Sequence, residues 1–166
     1  MTLTSSQQAW LDQDDRRVTM AIRKHGCHIT YVQSSAPAHP RRRGRTPLAY
    51  STGFFGLGHP EVLMLGVPPQ TALGVINNLF AQVREGRDLV PGELITFDSW
   101  PHRIMVEVVP NPVEIAFTAQ RHYGKPPFDP VPLLQLTYDD KSGRFPWDPG
   151  YTVEAWLQPR PGTFRA

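Results

Sequence analysis

The chain has 166 residues, of which 40% are hydrophobic, and 17 lysines and arginines nearly balance 15 aspartates and glutamates, for a formal net charge of +2. This length and apolar content predict a single domain, residues 1–166, around one core. So small a charge does not favour nucleic acid as a partner, and no apolar run approaches the roughly 20 residues of a membrane span. The single cysteine, Cys27, excludes an intramolecular disulfide and is typical of a reducing compartment, so we expect a cytoplasmic protein with no membrane partner.

Helical periodicity appears in three stretches of the chain. The predicted helices span 6–24, 69–85 and 112–123. Gly26 follows the first as a stop signal, and a proline pair opens the second. The residues predicted to face the core are Trp10, Val18 and Ile22 in the first helix, Leu73, Ile76, Leu79, Phe80 and Val83 in the second, and Val113, Ala116 and Phe117 in the third.

Alternating β-branched and aromatic residues predict strands between these helices. The predicted strands span 28–33, 48–54, 61–67, 93–97, 102–109 and 133–138. The glycines and proline of 56–60 predict a tight turn that makes the second and third strands a hairpin. The element order αβββαββαβ therefore predicts a single α+β domain. We expect a largely antiparallel sheet of about five to six strands with two to three packed helices.

Three separated motifs resemble those of one bacterial family. They are residues 48–53 (LAYSTG), 58–61 (GHPE) with GVP after it at 66–68, and 143–151 (GRFPWDPGY). This combination is similar to DUF4262, a domain of unknown function, over a core of about 25–151, with an irregular tail at 152–166. The resemblance implies the fold and the positions of the motifs, and it carries no chemistry that transfers to this chain.

The GHPE turn supplies the first candidate site. His59 and Glu61 lie within three positions and can form a general acid/base pair, with the Tyr50 hydroxyl as a hydrogen-bond donor. We expect the His59 side chain to be exposed at the turn. The alternative is structural: glycine and proline set the turn, His59 bonds locally, and Glu61 anchors a neighbouring backbone amide or arginine.

The aromatic loop at 144–151 supplies the second candidate. Arg144 can bind an anionic group, and Phe145 and Trp147 can offer ring surfaces to a substrate. Alternatively, the two aromatic side chains plug the open end of the sheet while Asp148 caps the turn. Under the first interpretation, Tyr50, His59 and this loop line one pocket.

These residues support several functions. The leading hypothesis is a small-molecule-binding domain for an anionic or aromatic ligand, and whether it is also a cofactor-independent enzyme using acid/base chemistry stays open. One alternative is a non-catalytic interaction module that uses the arginine-rich loop Arg41–Arg45 or the aromatic loop. Another is a flavin or haem binder at the interface of a homodimer, although nothing in the sequence selects it. His25, Cys27 and His28 lack the spacing of a zinc motif, so we expect no metal.

Overall fold

A computed structural model describes residues 2–33 and 46–166. The Arg41–Arg45 cluster therefore lies outside the described residues. The helices are α1 (Ser5–His25), α2 (Pro69–Arg84) and α3 (Phe117–Tyr123), with short 3-10 turns at Phe55–Leu57 and Pro112–Glu114. The strands are β1 (His28–Val32), β2 (Leu48–Thr52), β3 (Glu61–Leu65), β4 (Leu94–Ile95), β5 (Ile104–Val108) and β6 (Leu133–Tyr138).

The first helix is delimited by caps that the sequence carries at both ends. The Thr4 hydroxyl accepts a hydrogen bond from the Gln7 backbone N–H, and the Gln7 side chain accepts one from the Thr4 N–H. This reciprocal pair satisfies two of the free amides at a helix start. At the other end Gly26 adopts φ +84°, a left-handed conformation that glycine enters without strain. Among the described residues, no helix has the length and apolar character needed to cross a membrane.

The six strands form one mixed sheet in the order β1-β2-β3-β6-β5-β4. Four of its five pairings are antiparallel, and β2 and β3 form the predicted hairpin. The remaining pair, β3 and β6, is parallel, with Glu61 opposite Leu133. The prediction of a single α+β domain with a largely antiparallel sheet is confirmed. Because β3 and β6 run the same way, the residues before β3 and those after β6 lie at opposite ends of the sheet.

Both faces of the sheet are covered. Helix α2 packs on one face, where its buried side chains are Ala72, Val75, Ile76, Leu79, Phe80 and Val83. Helix α3 and the turn before it pack on the other face, in a smaller cluster comprising Leu48, Tyr50, Leu63, Leu65, Val109, Ile115, Ala116, Ala119 and Leu133. A strand buried on both faces needs apolar residues at consecutive positions, which explains the uninterrupted apolar run after Glu61 in β3.

Three residues predicted to face the core are instead exposed. Leu73 lies one position off the buried stripe of α2, because the smaller Ala72 occupies the inward position. Trp10 projects into solvent, because Val18 is the buried residue of α1. Phe117 is the first residue of α3, which is shorter than predicted, and its side chain is half exposed.

Candidate functional site

The carboxylate of Glu61 is fully buried and serves the turn between β2 and β3. It accepts backbone N–H hydrogen bonds from Gly53 at 2.8 Å, Phe55 at 3.0 Å and Phe54 at 3.3 Å, and the Ser51 hydroxyl also donates to it. A buried charge is tolerated when converging donors replace its hydration. Glu61 therefore holds the turn closed, as the structural alternative for this residue envisaged.

A glycine is required where the chain enters this turn. Gly53 has φ +147°, and a Cβ built there would lie 2.4 Å from the Gly26 carbonyl oxygen and 2.8 Å from the Cys27 Cα. The turn therefore packs directly against the backbone between α1 and β1. This contact brings Cys27 near Glu61, and burial together with that negative charge raises the thiol pKa to about 12. Cys27 is thus a buried thiol and not a nucleophile.

His59 is only 3% exposed, so the expectation of an exposed turn side chain is wrong. The Leu89 backbone N–H donates to Nε2 at 2.9 Å, and Nδ1 lies 2.7 Å from the Pro60 carbonyl oxygen. These contacts fix the neutral tautomer, with the proton on Nδ1 donated to Pro60. Leu89 lies in the segment after α2, and this segment covers the turn. The residues next to His59 in the sequence give no sign of its contact with Leu89. His59 therefore joins the turn to Leu89.

Tyr123, which no motif in the sequence singles out, completes the surroundings of Glu61. Its hydroxyl accepts a hydrogen bond from the Gly56 N–H at 3.2 Å. The pKa of Tyr123 is raised first by burial and then by the charge of Glu61. Both carboxylate oxygens of Glu61 and both ring nitrogens of His59 thus have partners within the protein. The acid/base role of this pair stays a prediction that the observed contacts do not favour.

The aromatic loop at 144–151 is held by Asp140. Its carboxylate accepts hydrogen bonds from the backbone N–H groups of Arg144 at 2.9 Å, Ser142 at 2.8 Å and Thr152 at 3.0 Å, and from the Thr152 hydroxyl at 3.0 Å. These bonds, the Arg144 amide first, lower the pKa of Asp140 to about 2. One carboxylate therefore closes the loop at both of its ends.

The rings of this loop already have neighbours. Phe145 and Trp147 stack with their centroids 5.0 Å apart and their planes within 4°. The Arg103 guanidinium lies over Phe145 at 5.3 Å, and that of Arg160 lies over Trp147 at 5.0 Å. Arg144 donates to the Gly150 carbonyl at 2.7 Å. The stack is thus occupied by protein groups, which fits the structural alternative better than a free ring surface.

The candidate residues do not converge on one pocket. His59 and Glu61 lie at the start of β3, whereas the aromatic loop follows the end of β6. Since these strands are parallel and in register, the two groups lie at opposite ends of the sheet. The prediction of a single pocket shared by Tyr50, His59 and the aromatic loop is therefore wrong.

Tyr50 instead lines a cavity of about 690 Å³ between the β1–β2 hairpin, the start of α3 and the C-terminal segment. The apolar lining residues are Val32, Leu48, Ile115, Phe117, Phe164 and Ala166, and the polar ones are Gln33, Thr46, Tyr50 and Arg165. The Tyr50 hydroxyl accepts a hydrogen bond from the Thr118 N–H at 3.1 Å. Among the described residues none accepts a hydrogen bond from that hydroxyl, and the Tyr50 side chain is buried.

The cavity involves residues that no sequence motif singles out. Periodicity predicts that Phe117 faces the core, and Phe164 lies in the tail predicted to be irregular. An apolar residue at the first position of a short helix was the one available signal, and it is a weak one. Within residues 2–33 and 46–166, no three His, Cys, Asp or Glu side chains are placed to hold a metal ion.

Comparison with known proteins identifies the family. No curated protein and no solved structure matches the chain. The model of the family described as "Domain of unknown function (DUF4262)" matches residues 21–152, which include β1 to β6 and the aromatic loop. The matched region also contains Tyr50, His59, Glu61 and Asp140. The chain therefore belongs to the DUF4262 family.

Proposed function

We propose that this protein is a small-molecule-binding domain whose ligand occupies the cavity lined by Tyr50. The cavity itself is the observation that carries the proposal, because about 690 Å³ lies within the range of ligand sites, roughly 300–1,000 Å³. Its mixture of an apolar wall with a few polar groups is the usual composition of such sites.

The buried free cysteine Cys27 is compatible with a reducing compartment, and we place the protein in the cytoplasm.

The lining indicates the class of ligand. Two aromatic side chains, Phe117 and Phe164, form walls suited to a ring or a branched apolar body. Tyr50 lines the cavity and its hydroxyl has no acceptor among the described residues, so we infer that this hydroxyl donates to the ligand. The charged lining group, Arg165, is exposed and is engaged by Glu114 at 3.1 Å, so its charge lies at the mouth. We therefore expect a mainly apolar molecule of one or two rings with one hydrogen-bonding group.

We assign no reaction to this site. His59 and Glu61, the sequence-based acid/base pair, are not among the residues that line the cavity. Binding alone accounts for the geometry, and the proposal extends no further than binding.

The test compares two tryptophan variants. Val32 is the last residue of the edge strand β1 and is 50% exposed. Val108 is the last residue of β5 and is 57% exposed. Val32 lines the cavity and Val108 does not, so Val32→Trp places an indole at the cavity mouth while Val108→Trp makes the same change elsewhere. The probe is 2-naphthylmethanol, followed by amide chemical shifts in a titration to 1 mM.

We expect saturable shifts centred on the lining residues in the wild type and in Val108→Trp, and at least a tenfold weaker affinity in Val32→Trp. Spectra of the free variants establish that both are folded. The proposal would be overturned if the wild type bound none of 2-naphthylmethanol, 2-methylnaphthalene and 2-naphthoate, or if the two variants had equal affinities for 2-naphthylmethanol.

A further inference from the structure

Four buried side-chain polar atoms have no hydrogen-bond partner among the described protein groups, and three of them lie on two neighbouring strands; the fourth is Oδ1 of Asn111. The three on the strands are Nδ1 of His28, Oγ1 of Thr30 and Oγ1 of Thr52. Thr52 is fully buried. A buried polar atom without a partner costs about 1–3 kcal/mol, so such atoms are normally satisfied. A cluster of three points to a molecule that binds there.

The strand register places these atoms beside the cavity. On one face of the β1–β2 ladder, the successive cross-strand pairs are Val32–Leu48, Thr30–Tyr50 and His28–Thr52. The first pair and Tyr50 line the cavity. Same-face neighbours along a strand are about 7 Å apart, so Thr30 lies one step from Val32, Thr52 lies one step from Tyr50, and His28 lies two steps from Val32. The three unpartnered atoms form a polar end of this strand pair, which adjoins the cavity wall at Val32 and Tyr50 although none of the three residues lines the cavity itself.

Two helices enclose this polar end. Helix α1 contacts β1, helix α3 contacts β2, and the two helices contact each other. Arg121 of α3 joins them by ion pairs to Asp14 at 3.1 Å and Asp15 at 2.6 Å of α1. The polar end is therefore closed on the side of the helices, and the cavity is its neighbour along the sheet.

The chemistry of the three groups favours an uncharged partner. The hydroxyl groups of Thr30 and Thr52 can both donate and accept hydrogen bonds, and they carry no charge. The pKa of His28 is lowered, chiefly by burial, with Arg17 and His122 adding to the effect and Asp14 opposing it, and this shift favours the neutral imidazole. The Asp14 carboxylate is already paired with Arg17 and Arg121. Among the described residues, Arg17 and Arg121 are taken up by Asp14, so an anionic head group would be buried here without a cation of its own from that part of the chain, which is costly.

We propose that the cavity ligand carries a neutral head group, a hydroxyl or a carboxamide, that hydrogen-bonds to Thr30, Thr52 and His28 while its apolar body fills the cavity. This inference rests on the proposed function and narrows its ligand class. Tyr50, on the same cross-strand pair as Thr30, donates at the junction between body and head group.

Three probes of matched shape test the inference: 2-naphthylmethanol, 2-methylnaphthalene and 2-naphthoate. We expect 2-naphthylmethanol to bind at least fivefold more tightly than either of the others. Thr30→Val and Thr52→Val each replace a hydroxyl by a methyl group. Each variant should lower the affinity for 2-naphthylmethanol about five- to tenfold and leave the affinity for 2-methylnaphthalene within twofold of the wild type. Thr137→Val is the control, because it makes the same change on β6, at a hydroxyl that donates to Glu107.

Nuclear Overhauser contacts give a second readout that does not depend on the variants. In the wild type, the probe's methylene protons should contact the methyl groups of Thr30 and Thr52. Equal affinities for the alcohol and the hydrocarbon, tightest binding of the naphthoate, or a methylene group placed at the cavity mouth would overturn the head-group inference and leave the cavity proposal standing. If none of the three probes binds, both proposals fall.

Discussion

The Glu61 carboxylate accepts a hydrogen bond from the Gly53 backbone N–H at 2.8 Å, and this bond joins the start of β3 to the end of β2. Two more backbone amides and the Ser51 hydroxyl converge on the same side chain. The residue that the sequence offers as a catalytic carboxylate is therefore the anchor of the β2–β3 turn.

The first prediction concerns this anchor. Glu61→Gln keeps the shape of the side chain but replaces one carboxylate oxygen by an N–H₂ donor that faces backbone donors. We expect the free energy of unfolding to fall by about 2–4 kcal/mol, measured by denaturant unfolding. Glu93→Gln is the control, since Glu93 also accepts a backbone N–H, from Val90, but is partly exposed, and it should cost less than about 1 kcal/mol. Equal losses in the two variants would show that Glu61 is not an anchor.

Two glycines should respond in opposite directions to the same substitution. Gly53→Ala places a Cβ against the Gly26 carbonyl oxygen at a positive φ, so we expect a loss of at least about 2 kcal/mol. Gly74 lies in α2 with no atom within 4 Å of a built Cβ, so Gly74→Ala should add about 0.5–1 kcal/mol through helix propensity. Thermal unfolding measures both changes. Unchanged stability in Gly53→Ala would contradict the close packing of the turn.

Burial changes the expectation for His59. If His59 were an exposed turn residue, His59→Ala would lower the free energy of unfolding by less than about 1 kcal/mol. The observed contacts predict a loss of about 2–4 kcal/mol, because the Leu89 N–H loses its acceptor and a cavity forms beside Phe54. His25→Ala, at the exposed end of α1, should cost less than about 0.5 kcal/mol. Chemical denaturation of the two variants decides between these values.

Acid should loosen the aromatic loop through Asp140. Its pKa is about 2 in the folded protein, against an ordinary value of 3.8. A carboxyl group with a depressed folded-state pKa stabilises the fold above its unfolded pKa, and that contribution is lost as the pH falls from about 4 towards 2. The melting temperature of Asp140→Asn should therefore lie below that of the wild type at pH 6 and approach it near pH 2. Asp98→Asn, at an exposed position, should follow the wild type throughout; a constant gap for Asp140→Asn would contradict the linkage.

Local patterns in the sequence predict the elements well because their causes are local. The β2–β3 hairpin follows from alternation and a glycine-rich turn, and the second helix follows from its apolar stripe and the proline pair before it. The exposure of single side chains is harder to predict than the elements. Leu73 is apolar but lies one position off the buried stripe of α2, and Phe117 is apolar but begins a helix that is shorter than predicted.

The site could not be predicted because its determinants are distant in sequence. His59 accepts its hydrogen bond from Leu89, which is 30 residues away in the sequence. The guanidinium that lies over the Trp147 ring belongs to Arg160, which is outside the aromatic loop. The separation of the candidate residues depends on the parallel pairing of β3 with β6, which local periodicity does not reveal. The cavity forms only when the segment at Phe164 packs near β2.

The most direct test of the ligand cavity is the position of a bound probe. With 2-naphthylmethanol and isotope-labelled protein, intermolecular nuclear Overhauser contacts should connect the naphthalene protons to Leu48, Phe117 and Phe164, which line the cavity. The account predicts these contacts and predicts their loss in Val32→Trp. Contacts from the naphthalene to His59 or Trp147 instead would place the ligand at one of the two ends of the sheet and contradict it.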